Sequence, residues 1–239
     1  MYQILLLVPV LLALAQSEET REEWLPDHMY NPLLEPEKCG LRPGELAYVC
    51  DPNGIIGNHI DSVNWILKDA AYNNTNCPCS NFNCEHEKGP TGYRIGLALV
   101  KRMIIQYNTD GRLNTPKDQA QLFANRLENH KWNMGRCEED IVIFYSAEDK
   151  VLALYGGSTA TAKLTPYFRE LLTYKVASRF NDGRIIEGIN NLLYDLKKVL
   201  NCQSTREMEC GLHEMYSSAS LSQLSSILLA AVAIFYTAF

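Results

Sequence analysis

Between Glu45 and Leu200, short apolar runs alternate with segments whose apolar residues recur every three or four positions, which limits the chain to a layered α/β fold. "ELAYVCD" reads as a short buried strand ending at Asp51, and Pro52-Asn53-Gly54 breaks it. Asn58 is placed to cap a helix, with Asp61 three residues on, and Ile60, Val63, Leu67, Ala70 and Ala71 share one of its faces. "YRIGLALVKRMII" is too uniformly apolar for its period to separate helix from strand, but its neighbours favour a strand buried on both faces. Thr115-Pro116-Lys117-Asp118 joins a hydroxyl cap to a proline at the first helical position. Ala120, Phe123, Ala124 and Leu127 form the buried stripe behind it, and Trp132 closes it. "DIVIFYSAEDKVLALYGG" holds two strands around Ala147-Glu148-Asp149-Lys150, a hairpin. Thr165-Pro166 repeats the cap-plus-proline start for a stripe of Phe168, Leu171, Leu172, Val176 and Phe180. Asn181-Asp182-Gly183 then separates a second stripe of Ile185, Ile189, Leu192, Leu196 and Val199. The order is strand, helix, strand, helix, strand, strand, helix, helix. It predicts one α/β domain with a mixed sheet, helices packed on its faces, parallel strands joined by helical crossovers, and an antiparallel pair.

The N-terminus sets the compartment expected for that domain. "MYQILLLVPVLLALAQS" has an apolar stretch from Ile4 to Leu14 and a small-x-small site at Ala13-Leu14-Ala15, the pattern of a secretory signal peptide cut after Ala15. Eight cysteines follow: Cys39, Cys50, Cys77, Cys79, Cys84, Cys137, Cys202 and Cys210. An even count in an oxidising compartment reads as a disulfide framework, and eight cysteines leave 105 pairings open. The cysteine-dense loop "YNNTNCPCSNFNCEHEKGPTG" is long for a compact domain, and disulfides account for its tolerance. Cys77, Cys79 and Cys84 with His86 also resemble a zinc ligand set, but Cys-x-Cys lacks the usual two-to-four-residue gap. Asn73-Asn74-Thr75 is a glycosylation sequon, which places Asn73 on a surface loop. A net charge of −6 argues against a nucleic-acid partner.

At the other end, the sixteen residues from Leu224 to Phe239 form an apolar run. As a helix it would reach roughly 24 Å, short of a hydrocarbon core about 30 Å thick. The nearest upstream cation is Arg206, so the flanking charge of a spanning helix is missing. A glycosylphosphatidylinositol signal needs small residues at the attachment site, a polar spacer and an apolar tail. Ser217-Ser218-Ala219-Ser220, "LSQLSS" and "ILLAAVAIFYTAF" supply the three, with Ser218 the preferred attachment residue and Ser217 next. The expected layout is therefore a signal peptide over 1–15, an extended segment without regular structure over 16–38, and the domain over 39–202. A stalk over 203–218 leads to the anchor signal, or a short membrane anchor, over 219–239.

The strand ending Cys50-Asp51-Pro52-Asn53-Gly54-Ile55-Ile56, the helix and Cys-x-Cys loop after it, and "GYRIGLALVKRM" carry a resemblance. So do the helix ending at Trp132, Gly135-x-Cys137 and the "DIVIFYSAEDKVLALYGG" hairpin. In order and spacing, from about Cys39 to Leu200, they resemble the nematode modulator-of-levamisole-receptor family of the TPM-domain superfamily. The resemblance implies a TPM-type extracellular α/β domain tethered beside a pentameric acetylcholine-gated channel as an accessory subunit. The founding type has a single spanning helix, and this chain departs from it in its C-terminal run. Shared fold alone does not transfer the partner. The superfamily also implies a rival, a metal-assisted phosphatase, and a structural surface protein is a third reading.

Asp51 ends the first predicted strand, where open α/β sheets place ligands. Asp51, Asp140 and Asp149 are the carboxylates that could converge on a ligand or a calcium ion, as the superfamily implies. The alternative for Asp51 is that it caps its own turn. No nucleophile elbow, phosphate-cradling glycine loop or His-Glu-x-x-His pattern is present, so no catalytic residue is assigned and a non-enzymatic role is expected. The Lys197-Lys198 pair reads as the solvated face of a core helix, with partner binding the alternative.

Overall fold

The computed structural model describes residues 21–76, 78–79, 91–203 and 210–212. The leader, Cys77, Cys84, His86, Ser217, Ser218 and the apolar tail lie outside them.

Four strands form the central sheet: β2 (Val49–Cys50), β3 (Ile95–Val100), β5 (Ile141–Ser146) and β6 (Val151–Gly156), in the order β2-β3-β5-β6. β2, β3 and β5 are parallel, and β5 turns back as an antiparallel hairpin into β6. The register runs Cys50 to Ala98 to Phe144 to Ala153. Every residue of β3 and β5 is buried, as central strands covered on both faces must be. The mixed sheet expected from the sequence is therefore present, and "YRIGLALVKRMII" resolves into β3 followed by the two-residue β4 (Arg102–Met103).

Adjacent residues of β5 point to opposite faces, and each face receives a helix. Phe144 stacks on Phe123 of α2 (Pro116–Arg126) with ring centroids 4.1 Å apart. Tyr145, on the other face, meets Phe180 of α4 (Pro166–Asn181) at 4.6 Å. α1 (Ile60–Asp69) sits beside β2, where the Asn64 side chain accepts from Tyr48 N. α5 (Ile185–Asn201) packs on α4, and a single-turn α3 (Ser158–Thr161) follows β6. Gly96 in β3 faces Trp132 and Met134 so closely that a Cβ would overlap both side chains.

The Thr115 and Thr165 caps form as read, accepting from Asp118 N and Phe168 N. Asn58 does not cap α1. The chain enters the helix through a 3-10 turn over Gly57–His59, already helical before Ile60, so no side-chain cap is made. Asn73 is exposed but lies in a wide π-helical turn, Ala70–Asn74, continuing α1 rather than in a loop. A similar turn, Leu127–Trp132, extends α2 and ends at Asn133 with φ 41°.

The largest departure is at the start. Residues 21–38 are packed rather than structureless: β1 (Glu23–Trp24) pairs in parallel with β4, and two 3-10 turns follow at Pro26–His28 and Pro36–Cys39. Trp24 and Met29 are fully buried, and the Tyr30 carbonyl oxygen accepts from the Trp132 indole at 2.9 Å. Proline and turn residues signalled irregular backbone correctly, but periodicity has no means of registering isolated anchors dispersed along it.

Candidate functional site

β2, β3 and β5 end at the same edge of the sheet, where ligands gather in open α/β folds. Asp51 lies there, 3% exposed, directly after the Cys39–Cys50 bridge. Both its carboxylate oxygens are used: one accepts from Ile55 N and the other from Ile56 N, each at 2.8 Å. Burial pushes its pKa up, while the backbone N–H groups of Ile56, Ile55 and Gly54 pull it back. This is the turn-capping geometry. Asp149, in the hairpin turn at the same edge, accepts from Met103 N at 2.9 Å and from the Ser146 hydroxyl.

Around these two lies a mesh of opposite charges. Lys101 pairs with Glu22 and Glu148, and Arg102 with Glu23 and Glu148. The Lys101 hydrogen bond holds the Glu22 carboxyl below its usual range, and Glu148 raises Arg102. All five side chains are at least 37% exposed, so the mesh chiefly fastens β1 to β4 and contributes little to stability pair by pair. The Asn53 side chain completes the seam by accepting from Lys101 N and donating to Arg21 O.

Asp140 does not join this edge. It precedes β5, six residues or roughly 20 Å away along the strand, and accepts from Met134 N at 2.9 Å. The three aspartates therefore do not converge. Asp140 belongs instead to a second acidic group with Glu128, Glu138 and Glu139, a group that only tertiary folding assembles. Glu139 accepts from Arg136 N and Cys137 N at 2.8 Å each and faces Arg94 at 3.5 Å. Glu128 is 4% exposed, and burial, then Asp140 and Glu138, push its pKa up to about 7. Burial likewise raises Asp140.

Cys79, Cys137 and Glu139 bring three potential metal-ligand atoms together. The two sulfurs are bonded to each other, however, and a disulfide sulfur is no thiolate ligand, so the trio does not fit a metal. That bridge also removes Cys79 from the zinc set read in the sequence. The remaining described bridges are Cys39–Cys50 and Cys202–Cys210. His28, His59 and His130 are exposed and scattered.

Together these features define a disulfide-locked α/β domain whose acidic residues are largely engaged in holding loops. The family model described as modulator of levamisole receptor-1 matches residues 21–150, more than half of the sequence, and the chain belongs to that family. The match begins at the packed N-terminal segment rather than at Cys39 and stops at Lys150, short of α4 and α5. Among solved structures, the chain is similar to the N-terminal domain of a P. gingivalis protein. Identity is 12% and the TM-score 0.48, over 75% of this chain and 93% of that one. It is also similar to the BA42 protein of the psychrophilic bacterium Bizionia argentinensis, at 16% identity and TM-score 0.35 over 59% and 80%. No curated protein matches the chain.

Proposed function

We propose that this protein is an extracellular accessory subunit, held at the outer face of the plasma membrane, that modulates the gating of an acetylcholine-gated, levamisole-sensitive channel. The observation that carries the reading is membership of the modulator of levamisole receptor-1 family across residues 21–150. The disulfides support it, since such bridges persist in oxidising compartments. Among the described residues no helix is long and apolar enough to cross a membrane. Attachment therefore rests on the C-terminal segment, with Ser218 or Ser217 carrying a lipid, or on a short spanning helix there. Tethering confines the domain beside the channel and raises its effective concentration, so a weak interface suffices.

The test is electrophysiological. The full chain is co-expressed with acetylcholine-gated channel subunits in voltage-clamped cells, and the expected result is an altered agonist-evoked current at unchanged channel surface level. An unaltered current across levamisole-sensitive subunit combinations sinks the proposal. Release of the chain from intact cells by a phosphatidylinositol-specific phospholipase supports the lipid anchor, and retention rules it out in favour of the helix.

A further inference from the structure

Helix α4 carries two apolar stripes, and the core uses one of them. Phe168, Leu172, Val176 and Phe180 are buried in the domain. Tyr167, Leu171 and Tyr174 recur at three-to-four spacing one step around the helix, with Tyr174 71% and Tyr167 55% exposed. This second stripe is one wall of a groove of 560 Å³. Val151 and Leu152, at the start of β6 on the outer edge of the sheet, form the facing wall. The Tyr145 ring lines the groove too, its hydroxyl donating to Phe180 O at 3.3 Å.

Charge around the rim is lopsided. Lys117 reaches from α2 to Glu170 on α4, and that pair, at 3.1 Å, is neutral. Lys150, in the hairpin turn, lines the groove without an ion-pair or hydrogen-bond partner among the described residues. In a chain of net charge −6, an uncompensated cation beside an apolar groove fixes the polarity of what fits. A cationic ligand meets Lys150 repulsively. A small polar anion leaves Leu152, Leu171 and Tyr174 uncovered. A molecule with a long apolar body and one anionic end satisfies both.

We propose that this groove binds a free long-chain carboxylate, its acyl chain lying along α4 between Leu152 and Leu171 and its carboxylate on Lys150. The volume falls within the range of small-molecule sites, which are mostly apolar with a few placed polar groups. From Tyr167 to Asn181 the helix rises roughly 21 Å, enough for such a chain laid lengthwise. Nothing in the site requires the channel as partner, so it stands apart from the accessory role.

The probe is a diazirine-bearing palmitate applied to cells expressing the full chain, with labelled residues located by mass spectrometry. Label is expected on Val151–Leu152 or within residues 167–181, and excess unlabelled palmitate should displace it. The matching diazirine alcohol, and the acid probe on Lys150→Glu, should label these segments about two- to fivefold less, the loss of one exposed ion pair. Lys150→Arg should retain labelling, and Tyr174→Glu, at an exposed position, should lose it without loss of surface expression. Equal labelling by the alcohol, unchanged labelling of a normally expressed Lys150→Glu chain, or label confined to other segments overturns the proposal.

Discussion

Glu128 shows how one buried carboxyl can set the pH response of the domain. One of its oxygens is buried without a hydrogen-bond partner, and its pKa of about 7 compares with 4.5 for a free glutamate. Between those two values the folded chain keeps a proton that the unfolded chain has lost. Stability is therefore fully present below about 4.5 and falls as pH rises to about 7. Asp51 and Asp140, also raised by burial, act in the same sense. Glu128→Gln removes the proton exchange but keeps the shape. Its thermal unfolding should match that of the parent near pH 4 and be stabilised by about 1–3 kcal/mol above pH 7. Thermal melts followed by circular dichroism from pH 4 to 8 decide it, and parallel curves for parent and variant would refute the assignment. Glu128 was not legible in the sequence, because its like-charged neighbours lie ten and twelve positions away in an unrelated segment. Asp51 was legible as a strand-end carboxylate, and its use as a turn cap was one of two readings that residue type alone leaves open.

At the scale of elements, the α4–α5 pair is held by more than its apolar stripes. Lys175 and Asp195 meet at 2.7 Å with side chains 7% and 10% exposed, and Lys175 also donates to Leu212 O, just beyond the Cys202–Cys210 bridge. Removing one partner leaves a buried charge alone, which costs about 3–5 kcal/mol. Asp195→Leu should therefore lower the denaturant midpoint strongly, while Lys175→Met with Asp195→Leu should recover most of the loss. A double variant no better than the single one would show that packing, rather than the ion pair, carries the effect. The helices themselves were readable because each announces itself locally: Thr115-Pro116 and Thr165-Pro166 start them, and spacing marks the buried face. The Lys175–Asp195 pair was not readable, since it joins residues twenty positions apart on two helices. The second stripe of α4 was partly in view: Leu171, read with the core face, is half-buried against the core and also lines the groove. Asn58 failed as a cap for a related reason: cap propensity says where a helix can start, whereas tertiary packing decided that a 3-10 turn precedes it.

For the whole molecule, the described bridges differ in how much chain they restrain. Cys39–Cys50 and Cys202–Cys210 close separations of 11 and 8 residues, and each ties a turn to its own neighbourhood. Cys79–Cys137 closes 58 residues, joining the segment after α1 to the turn before β5 and enclosing β3, β4 and α2. Loop-closure entropy in the unfolded chain grows with the logarithm of loop length. On that basis the long bridge stabilises by about 4 kcal/mol and each short one by about 3 kcal/mol. The difference is modest, but the long bridge also fixes Cys137 beside Glu139, which holds the backbone N–H groups of both Arg136 and Cys137. Losing it loosens the acidic end of the sheet as well as lengthening the unfolded chain. Cys79→Ser with Cys137→Ser should therefore lower the non-reducing denaturant midpoint further than Cys202→Ser with Cys210→Ser. Equal or reversed losses would mean that local strain relief outweighs chain entropy here, and that β2, β3 and β5 hold the sheet together without the long crosslink.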